Sequence, residues 1–208
     1  MSDIKNIEQH YSLDERPFLE KVRGFCQLVD DRYSPYLTDF LNPREIQIVE
    51  ELAHYYNLKF FVSSTLESEE YGRVILAPEY YELDDDDFEI KRLEISYARQ
   101  FNKLTHPKVL GALINQLGLD RQVFGDIILD EKGRVQFSIA SHLASYAIMT
   151  ITKIGNVSVT LKEVSKDDWI SNQENYSQSF VLLSSMRLDN VLATVLNLSR
   201  SNALKLIA

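Results

Sequence analysis

The stretch from residue 88 to residue 164 constrains the fold most, because the spacing of its apolar residues changes from one period to another. From Leu93 to Tyr97 apolar and polar residues alternate, which is the pattern of a half-buried strand. Apolar residues then recur at helical spacing over 110–117, and Gly118 follows where a glycine ends many helices. A strand followed by a helix is therefore predicted here.

The remainder of this stretch contains two more strands, a helix and a last strand. Segments 127–129 and 135–139 flank the turn DEKG, as the two strands of a hairpin do. A helix is predicted to begin at Ser141 and to end at Gly155, and residues 157–161 alternate as a strand. The order β-α-β-β-α-β is the ferredoxin-like split motif, so we predict an α+β fold with a ferredoxin-like domain over this stretch.

The same alternation predicts which side chains lie on the open face of the sheet. They are Arg92, Glu94, Ser96, Arg134, Gln136, Ser138, Ser158, Thr160 and Lys162. This face is rich in hydroxyl groups and slightly basic, but it lacks the aromatic residues on which RNA-recognition sheets stack bases. Either it contacts RNA, with Arg134 and Lys162 as cations, or it faces solvent. Nearby, in DRQVFGDI, Arg121 either contacts RNA or pairs with Asp126.

A helical N-terminal domain with a small hairpin is predicted over residues 1–83. Residues 1–57 are interpreted as helical, and Asn42 with Glu45 has the spacing of a capping box. Two strands joined by a polar loop are predicted over 58–63 and 73–77. The acidic run that follows is interpreted as a solvated connection to the central domain.

The last 23 residues predict two short helices in a hairpin, after a connector over residues 165–185. In the connector, Trp169 is interpreted as a packing anchor, with base stacking as the alternative. From Leu188 onward apolar residues recur at helical spacing, and after a short turn Ser199 is a good N-cap for a second helix. This pair of helices occupies residues 186–208.

Two arginines stand where a helix disfavours them. Arg187 and Arg200 lie at the starts of the two helices, which are already the positive ends of the helix dipoles. A bound phosphate would reverse this, because it would meet free backbone N–H groups and guanidinium donors. The hydroxyl groups of Ser199 and Ser201 would add donors, and Lys205 would meet the next phosphate. The alternative is that both arginines pair with Asp189 and neighbouring acids.

The net charge of −9 is unevenly distributed along the chain. Residues 1–88 contain 8 Lys and Arg against 20 Asp and Glu, whereas residues 89–208 contain 14 against 11. Phosphate attraction acts within a Debye length of about 8 Å, so the local charge matters more than the total. The charge distribution is therefore compatible with nucleic acid at the C-terminal end.

Several segments resemble known families. RLDNVLATVLNLSRSNALKLI resembles the opening of the S4 RNA-binding domain, whose later strand and Asn-Gly turn lie beyond the given residues, so a partial S4 unit is expected. FLNPREIQIVEEL, LESEEYGRVILAP and LGALINQLGLDRQVFGDI resemble the YlmH family of bacterial S4-domain proteins. Its usual Gly-Gly-Tyr and Ala-Glu-Arg runs are replaced here at 64–66 and 69–71, although Glu67, Glu70 and Arg73 are kept.

The resemblance implies an N-terminal domain, a central RNA-binding domain and a C-terminal S4 domain. Members of this family are associated with ribosomes or ribosomal RNA, in particular with stalled nascent-chain complexes on the large subunit, and tRNA is a further possible partner. Their genes are described alongside cell-division genes. We therefore expect a non-catalytic protein that binds ribosomal RNA on the large subunit.

Other kinds of chemistry find little support in the sequence. The histidines have no metal-like spacing, the glycines form no phosphate-binding loop, and Cys26 lies in an apolar helical stretch typical of a core. We expect no cofactor, no small-molecule substrate, no membrane partner and a cytoplasmic location; the oligomeric state stays open. The alternatives are an RNA-modifying enzyme with an appended S4 unit, or a protein-interaction factor in cell division that docks through its acidic N-terminal domain.

Overall fold

The computed structural model describes residues 11–64, 69–170 and 180–207. Predictions that concern residues 1–10, Thr65, Leu66 and Glu67, most of the connector and Ala208 lie outside the described residues. The chain divides into two compact units, residues 1–173 and residues 174–208. Each unit is described by itself below.

The N-terminal part of the first unit packs two helices on a small sheet. Its elements are helix α1 (Arg16–Arg32), strand β1 (Tyr36–Leu41), helix α2 (Pro43–Tyr55), strand β2 (Lys59–Val62) and strand β3 (Gly72–Ala77). The Asn42 side chain accepts a hydrogen bond from the Glu45 N–H, and Glu45 returns one to the Asn42 N–H. The predicted capping box is therefore confirmed.

Strand β1 corrects the prediction that all residues up to 57 are helical. Tyr33 has a left-handed backbone with φ of 50°, which ends α1, and the chain then runs antiparallel to β3. The hydroxyl of Thr38 accepts a hydrogen bond from the Val74 N–H at 2.9 Å. The small hairpin is thus part of a three-stranded sheet in the order β1-β3-β2. Strand β1 was missed because it is short and forms by pairing with a distant strand, so its own sequence shows no clear alternation of apolar and polar residues.

The central part has the predicted β-α-β-β-α-β order. Its elements are β4 (Ile90–Ser96), α3 (His106–Leu117), β5 (Phe124–Leu129), β6 (Val135–Ala140), α4 (Ser141–Thr150) and β9 (Thr160–Glu163). The four strands form an antiparallel sheet in the order β5-β6-β4-β9. This is the ferredoxin-like arrangement, and the α+β fold class is confirmed.

One detail of the central part was predicted wrongly. Helix α4 ends at Thr150, and a two-stranded hairpin follows, in which β7 (Lys153–Ile154) pairs with β8 (Val157–Ser158). Gly155, with φ of +58°, forms the turn of this hairpin with Asn156 and does not end the helix. A glycine-asparagine pair between two short strands indicates a hairpin. It was missed because apolar and polar residues alternate over 157–161, which favoured a single strand there.

The two parts of the first unit are joined by a buried polar network on the sheet face opposite α3 and α4. The guanidinium of Arg92, 1% exposed, donates a hydrogen bond to Glu69 and lies 4.0 Å from the centre of the Trp169 ring. The side chain of Gln136 accepts a hydrogen bond from the Ile170 N–H at 3.0 Å. At Gly125 any side chain would meet the Phe40 ring, since an added Cβ would lie 2.7 Å from it.

The second unit contains the two predicted short helices, α5 (Leu188–Val195) and α6 (Arg200–Ile207). Asn197 has a left-handed backbone with φ of 52°, and the Leu198 N–H donates to the Ala193 carbonyl at 2.9 Å. These contacts turn the chain between the helices. None of the helices in the described ranges has the length and apolar character that a membrane span requires.

We predict that Cys26 is unreactive in the folded protein. Its side chain is fully buried in α1, and burial raises the pKa of the thiol to about 11, so roughly one molecule in a thousand carries a thiolate at pH 8. Ellman's reagent should release thionitrobenzoate only after urea is added. A full stoichiometric reaction within seconds in native buffer would contradict the burial of this cysteine.

We also predict that Glu69→Ala destabilises the first unit strongly. The substitution leaves the buried Arg92 guanidinium without its counter-charge, which costs about 3–5 kcal/mol. The matched control is Glu70→Ala, because the Glu70 side chain is exposed and its loss changes stability by no more than about 0.5 kcal/mol. Urea unfolding measures both, and equal midpoints for the two variants would show that the ion pair does not hold the parts together.

Candidate RNA interface

The starts of α5 and α6 bring two arginines to one carboxylate. Arg187 is the N-cap residue of α5, and Arg200 is the first residue of α6. The Nε of Arg187 lies 3.0 Å from one oxygen of Asp189, and the Nε of Arg200 lies 3.5 Å from the other. The short turn between the helices therefore converts two separate helix ends into one cationic cluster.

Burial differs sharply between the carboxylate and the two arginines. Only 8% of the Asp189 side chain is exposed, whereas 71% of Arg187 and 61% of Arg200 remain exposed. A hydrogen bond from Arg187 lowers the pKa of Asp189, so the carboxylate stays ionised at neutral pH. One anion between two cations leaves a net positive charge, and each guanidinium keeps N–H donors that face outward.

Polar groups of α6 lie beside Arg200. The Ser199 hydroxyl accepts a hydrogen bond from the Asn202 N–H at 3.3 Å, which confirms the predicted N-cap. The hydroxyl groups of Ser199 and Ser201 lie 3.0 Å apart and are exposed. Lys205 is also exposed, in the last turn of the helix. The predicted contacts of these residues with phosphate stay predictions.

Both interpretations of the arginines therefore find support in the geometry. The pairing with Asp189 that the sequence analysis offered as an alternative is present. The pairing with Asp189 engages only some of the N–H groups of the two arginines, because each guanidinium has five of them. The positive charge of each guanidinium is exposed to solvent. The carboxylate fixes where the arginines stand and leaves their outer edges available to an anion.

The predicted open face of the central sheet is wrong for its main residues. Arg92, Glu94, Gln136 and Ser138 are each no more than 5% exposed. Residues 168–170 and the side chain of Glu69 cover them. Polar alternation identified the face correctly, but the polar partners that bury it come from distant segments. Loss of water raises the pKa of the Glu69 carboxyl and lowers that of the Arg92 guanidinium.

The two cations predicted to bind RNA on this face have different surroundings. Arg134 is about one-third exposed and donates to the Glu94 carboxylate at 2.6 Å and to the Asp168 carbonyl at 3.3 Å. Lys162 is exposed on β9. The hydroxyl groups of Ser158 and Thr160 likewise belong to exposed residues. RNA contact by Arg134 and Lys162 stays a prediction, limited to the rim of the face.

Arg121 takes part in the packing of the two parts of the first unit. Its guanidinium lies 4.1 Å from the centre of the Tyr71 ring and donates to the Phe124 carbonyl. Asp126 accepts hydrogen bonds from the Glu70 N–H at 2.9 Å and the Tyr71 N–H at 3.1 Å. Both residues thus contact segment 70–71, but the predicted pairing of Arg121 with Asp126 is wrong, because each has other partners. RNA contact by Arg121 remains an untested prediction.

A metal site finds no support in the described ranges, which contain no group of three or more His, Cys, Asp or Glu side chains able to hold a metal ion. The polar groups considered above are instead donors of hydrogen bonds and positive charge. Such a set is suited to anionic oxygen atoms, as in phosphodiesters.

Comparisons with known proteins agree with this chemistry. Residues 84–168 match a family model described as "Putative RNA-binding domain in YlmH". Over 204 residues the chain is 31% identical to the Bacillus subtilis (strain 168) "Ribosome-associated protein quality control protein P2", covering 98% of this chain and 79% of that one. The solved "Cell division protein ylmH from Streptococcus pneumoniae" aligns with a TM-score of 0.69 at 40% identity, over 78% of this chain and 98% of the solved one.

The segments FLNPREIQIVEEL and LGALINQLGLDRQVFGDI belong to parts of the chain that these comparisons span. The match to the central part is independent of the S4-like segment, and the match to the Bacillus relative spans nearly the whole chain. Together they show that this chain belongs to the YlmH family.

Proposed function

We propose that this chain is a non-catalytic RNA-binding factor that binds ribosomal RNA of the large subunit through the starts of α5 and α6. The observation that carries the proposal is the pair of exposed guanidinium groups held on one buried carboxylate. Each stands beside the N-terminal end of a helix, where backbone N–H groups and the dipole favour an anion. A phosphodiester would supply that anion.

RNA is favoured over a carboxylate-bearing partner by the number of donors in a small area. Arg187, Arg200, Ser199 and Ser201 present guanidinium and hydroxyl groups together, and Lys205 follows on the same helix. Successive phosphates of one strand provide successive anions for such a row. This arrangement is the one expected from the resemblance of the segment to an S4 unit.

The relatives support the place of action. The Bacillus relative is named a ribosome-associated quality control protein, and the matched family model is named for RNA binding. We therefore propose that this chain acts in the cytoplasm on large subunits that carry stalled nascent chains, with tRNA as a further RNA within reach. It would act by binding, without a chemical step of its own.

A division-related role is a second candidate. Its support is the name of the solved Streptococcus pneumoniae protein, and the acidic N-terminal part would provide the docking surface. Co-purification with division proteins from lysate treated with RNase would support this role. Loss of every such partner after RNase treatment would argue against it.

We predict that Arg187→Ala combined with Arg200→Ala weakens binding to purified large-subunit RNA. Each lost phosphate contact also removes one released counterion, so the slope of log affinity against log salt should become shallower by about 1.4–1.8. Filter binding at several KCl concentrations measures both quantities.

The matched control removes the same charge elsewhere. Arg16→Ala with Arg32→Ala changes two exposed arginines at the ends of α1, in the acidic N-terminal part. This variant should keep the wild-type affinity and slope. If the Arg187 and Arg200 variant behaves like this control, the ends of α5 and α6 do not bind the RNA.

A further inference from the structure

A second cationic surface lies at one end of the central part, between α3 and the β7–β8 hairpin. A cavity of about 520 Å³ opens there, and its lining includes Lys103, Lys108, Asn115 and Asn156. The two lysines are the ionisable residues of the lining, so nothing in the cavity wall neutralises them. Ammonium and amide donors without a carboxylate define a site for an anion.

An exposed aromatic residue lies in the loop that leads to this cavity. Phe101 is 84% exposed, in the loop from β4 to α3, two residues before Lys103. Two residues span at most about 7 Å, so the backbone at Phe101 lies within that distance of the backbone at Lys103. A phenyl ring in water is unfavourable, and its flat face is the shape on which a nucleobase stacks.

The loop that carries Phe101 is anchored at both ends. The Phe101 N–H donates to the Ala98 carbonyl at 3.2 Å, and the Asn102 amide donates to the same oxygen at 3.1 Å. Leu104 is 2% exposed and packs in the core of the central part. The Tyr97 hydroxyl donates to the Gly133 carbonyl at 2.9 Å, which ties the loop to the β5–β6 turn.

Two arginines adjoin the loop in the same arrangement as at the helix ends of the second unit. Arg99 and Arg134 both contact the buried carboxylate of Glu94, at 3.4 Å and 2.6 Å, and both side chains stay about one-third exposed. Burial opposes the ionisation of Glu94, but hydrogen bonds from Arg134 and Gln136 lower its pKa. The loop therefore carries a cation on each side of Phe101 in the sequence, Arg99 before it and Lys103 after it.

We propose that this end of the central part binds one unpaired nucleotide of RNA, with its base stacked on Phe101 and its phosphate in the cavity beside Lys103 and Lys108. The inference rests on the proposed function and adds a contact on the first unit, separate from Arg187 and Arg200. An unpaired nucleotide is required because the base faces of a duplex are already stacked. Stacking on an aromatic ring tolerates any base, so no sequence preference is expected.

The test uses the full chain with a fluorescein-labelled 12-nucleotide oligo-uridine and, separately, a labelled RNA duplex of the same length. Fluorescence anisotropy should show that wild type binds the single strand more tightly than the duplex. Phe101→Ala should weaken single-strand binding by roughly 5- to 100-fold with an unchanged salt slope, since one stacked base is lost. Phe101→Tyr should stay within about twofold of wild type.

A second variant tests the cavity. Lys103→Ala with Lys108→Ala should make the salt slope for the single strand shallower by about 0.7, because the contact with one phosphate is lost. Met149→Ala is the control for Phe101, since Met149 is a 73% exposed apolar residue on α4. Arg16→Ala with Arg32→Ala is the control for the lysines. The changed side chains are exposed, and urea midpoints equal to wild type verify folding.

The outcomes separate this inference from the function on which it rests. Wild type that binds neither large-subunit RNA nor oligo-uridine overturns the proposed function itself. Wild type that binds large-subunit RNA, but with Phe101→Ala equal to Met149→Ala, overturns the nucleotide site alone. Equal affinity for the single strand and the duplex likewise overturns the nucleotide site. So does weaker binding by the lysine variant without weaker binding by Phe101→Ala, because neither result involves a stacked base.

Discussion

A buried carboxylate that holds two partly exposed arginines is the interaction on which the proposed contact with ribosomal RNA depends. Asp189 does this for Arg187 and Arg200, and Glu94 does it for Arg99 and Arg134. Each carboxylate restricts two long side chains that would otherwise sample many rotamers, so less entropy is lost when an anion binds. Because one negative charge faces two positive charges, the Asp189 cluster stays cationic within a protein whose net charge is −9.

The interior of the first unit uses polar groups for a different purpose. Arg92, Glu69 and Trp169 come from three distant segments and meet on a sheet face that would otherwise be open to solvent. Removing two charges from water is costly, and the arrangement is stable only because hydrogen bonds and the stacked ring replace the lost hydration. The network therefore determines which surfaces of the central part remain available, namely the rim of the sheet and the end that carries Phe101.

Local signals in the sequence predicted most of the fold. The periods of the apolar residues predicted the ferredoxin-like order, and the Asn42 and Ser199 caps and the helix end at Gly118 were recognised from single residues. The predictions that failed concern features formed by contacts between distant segments. Strand β1 depends on pairing with β3, and the burial of Arg92 depends on residue 69 and residues 168–170, so neither had a signal within its own segment.

The residues of the candidate sites were likewise predicted only where the sequence contains a local signal for them. Arg187 and Arg200 were identified because a cation at a helix start is unfavourable and calls for an explanation, and the structure brings them to one carboxylate. Phe101 was not identified, since one aromatic residue in a loop has no period and its exposure is visible only after folding. The cavity near Lys103 depends on the β7–β8 hairpin, which the sequence analysis took for the end of a helix and the start of a strand.

The most direct test of the central claim is ultraviolet crosslinking in cells, followed by sequencing of the RNA attached to the protein. Our account predicts reads concentrated in large-subunit ribosomal RNA, and their loss when Arg187 and Arg200 are both alanine. Reads spread over messenger RNA in proportion to abundance, or an unchanged ribosomal pattern in the double variant, would contradict the assignment of the α5 and α6 helix starts as the RNA-binding surface.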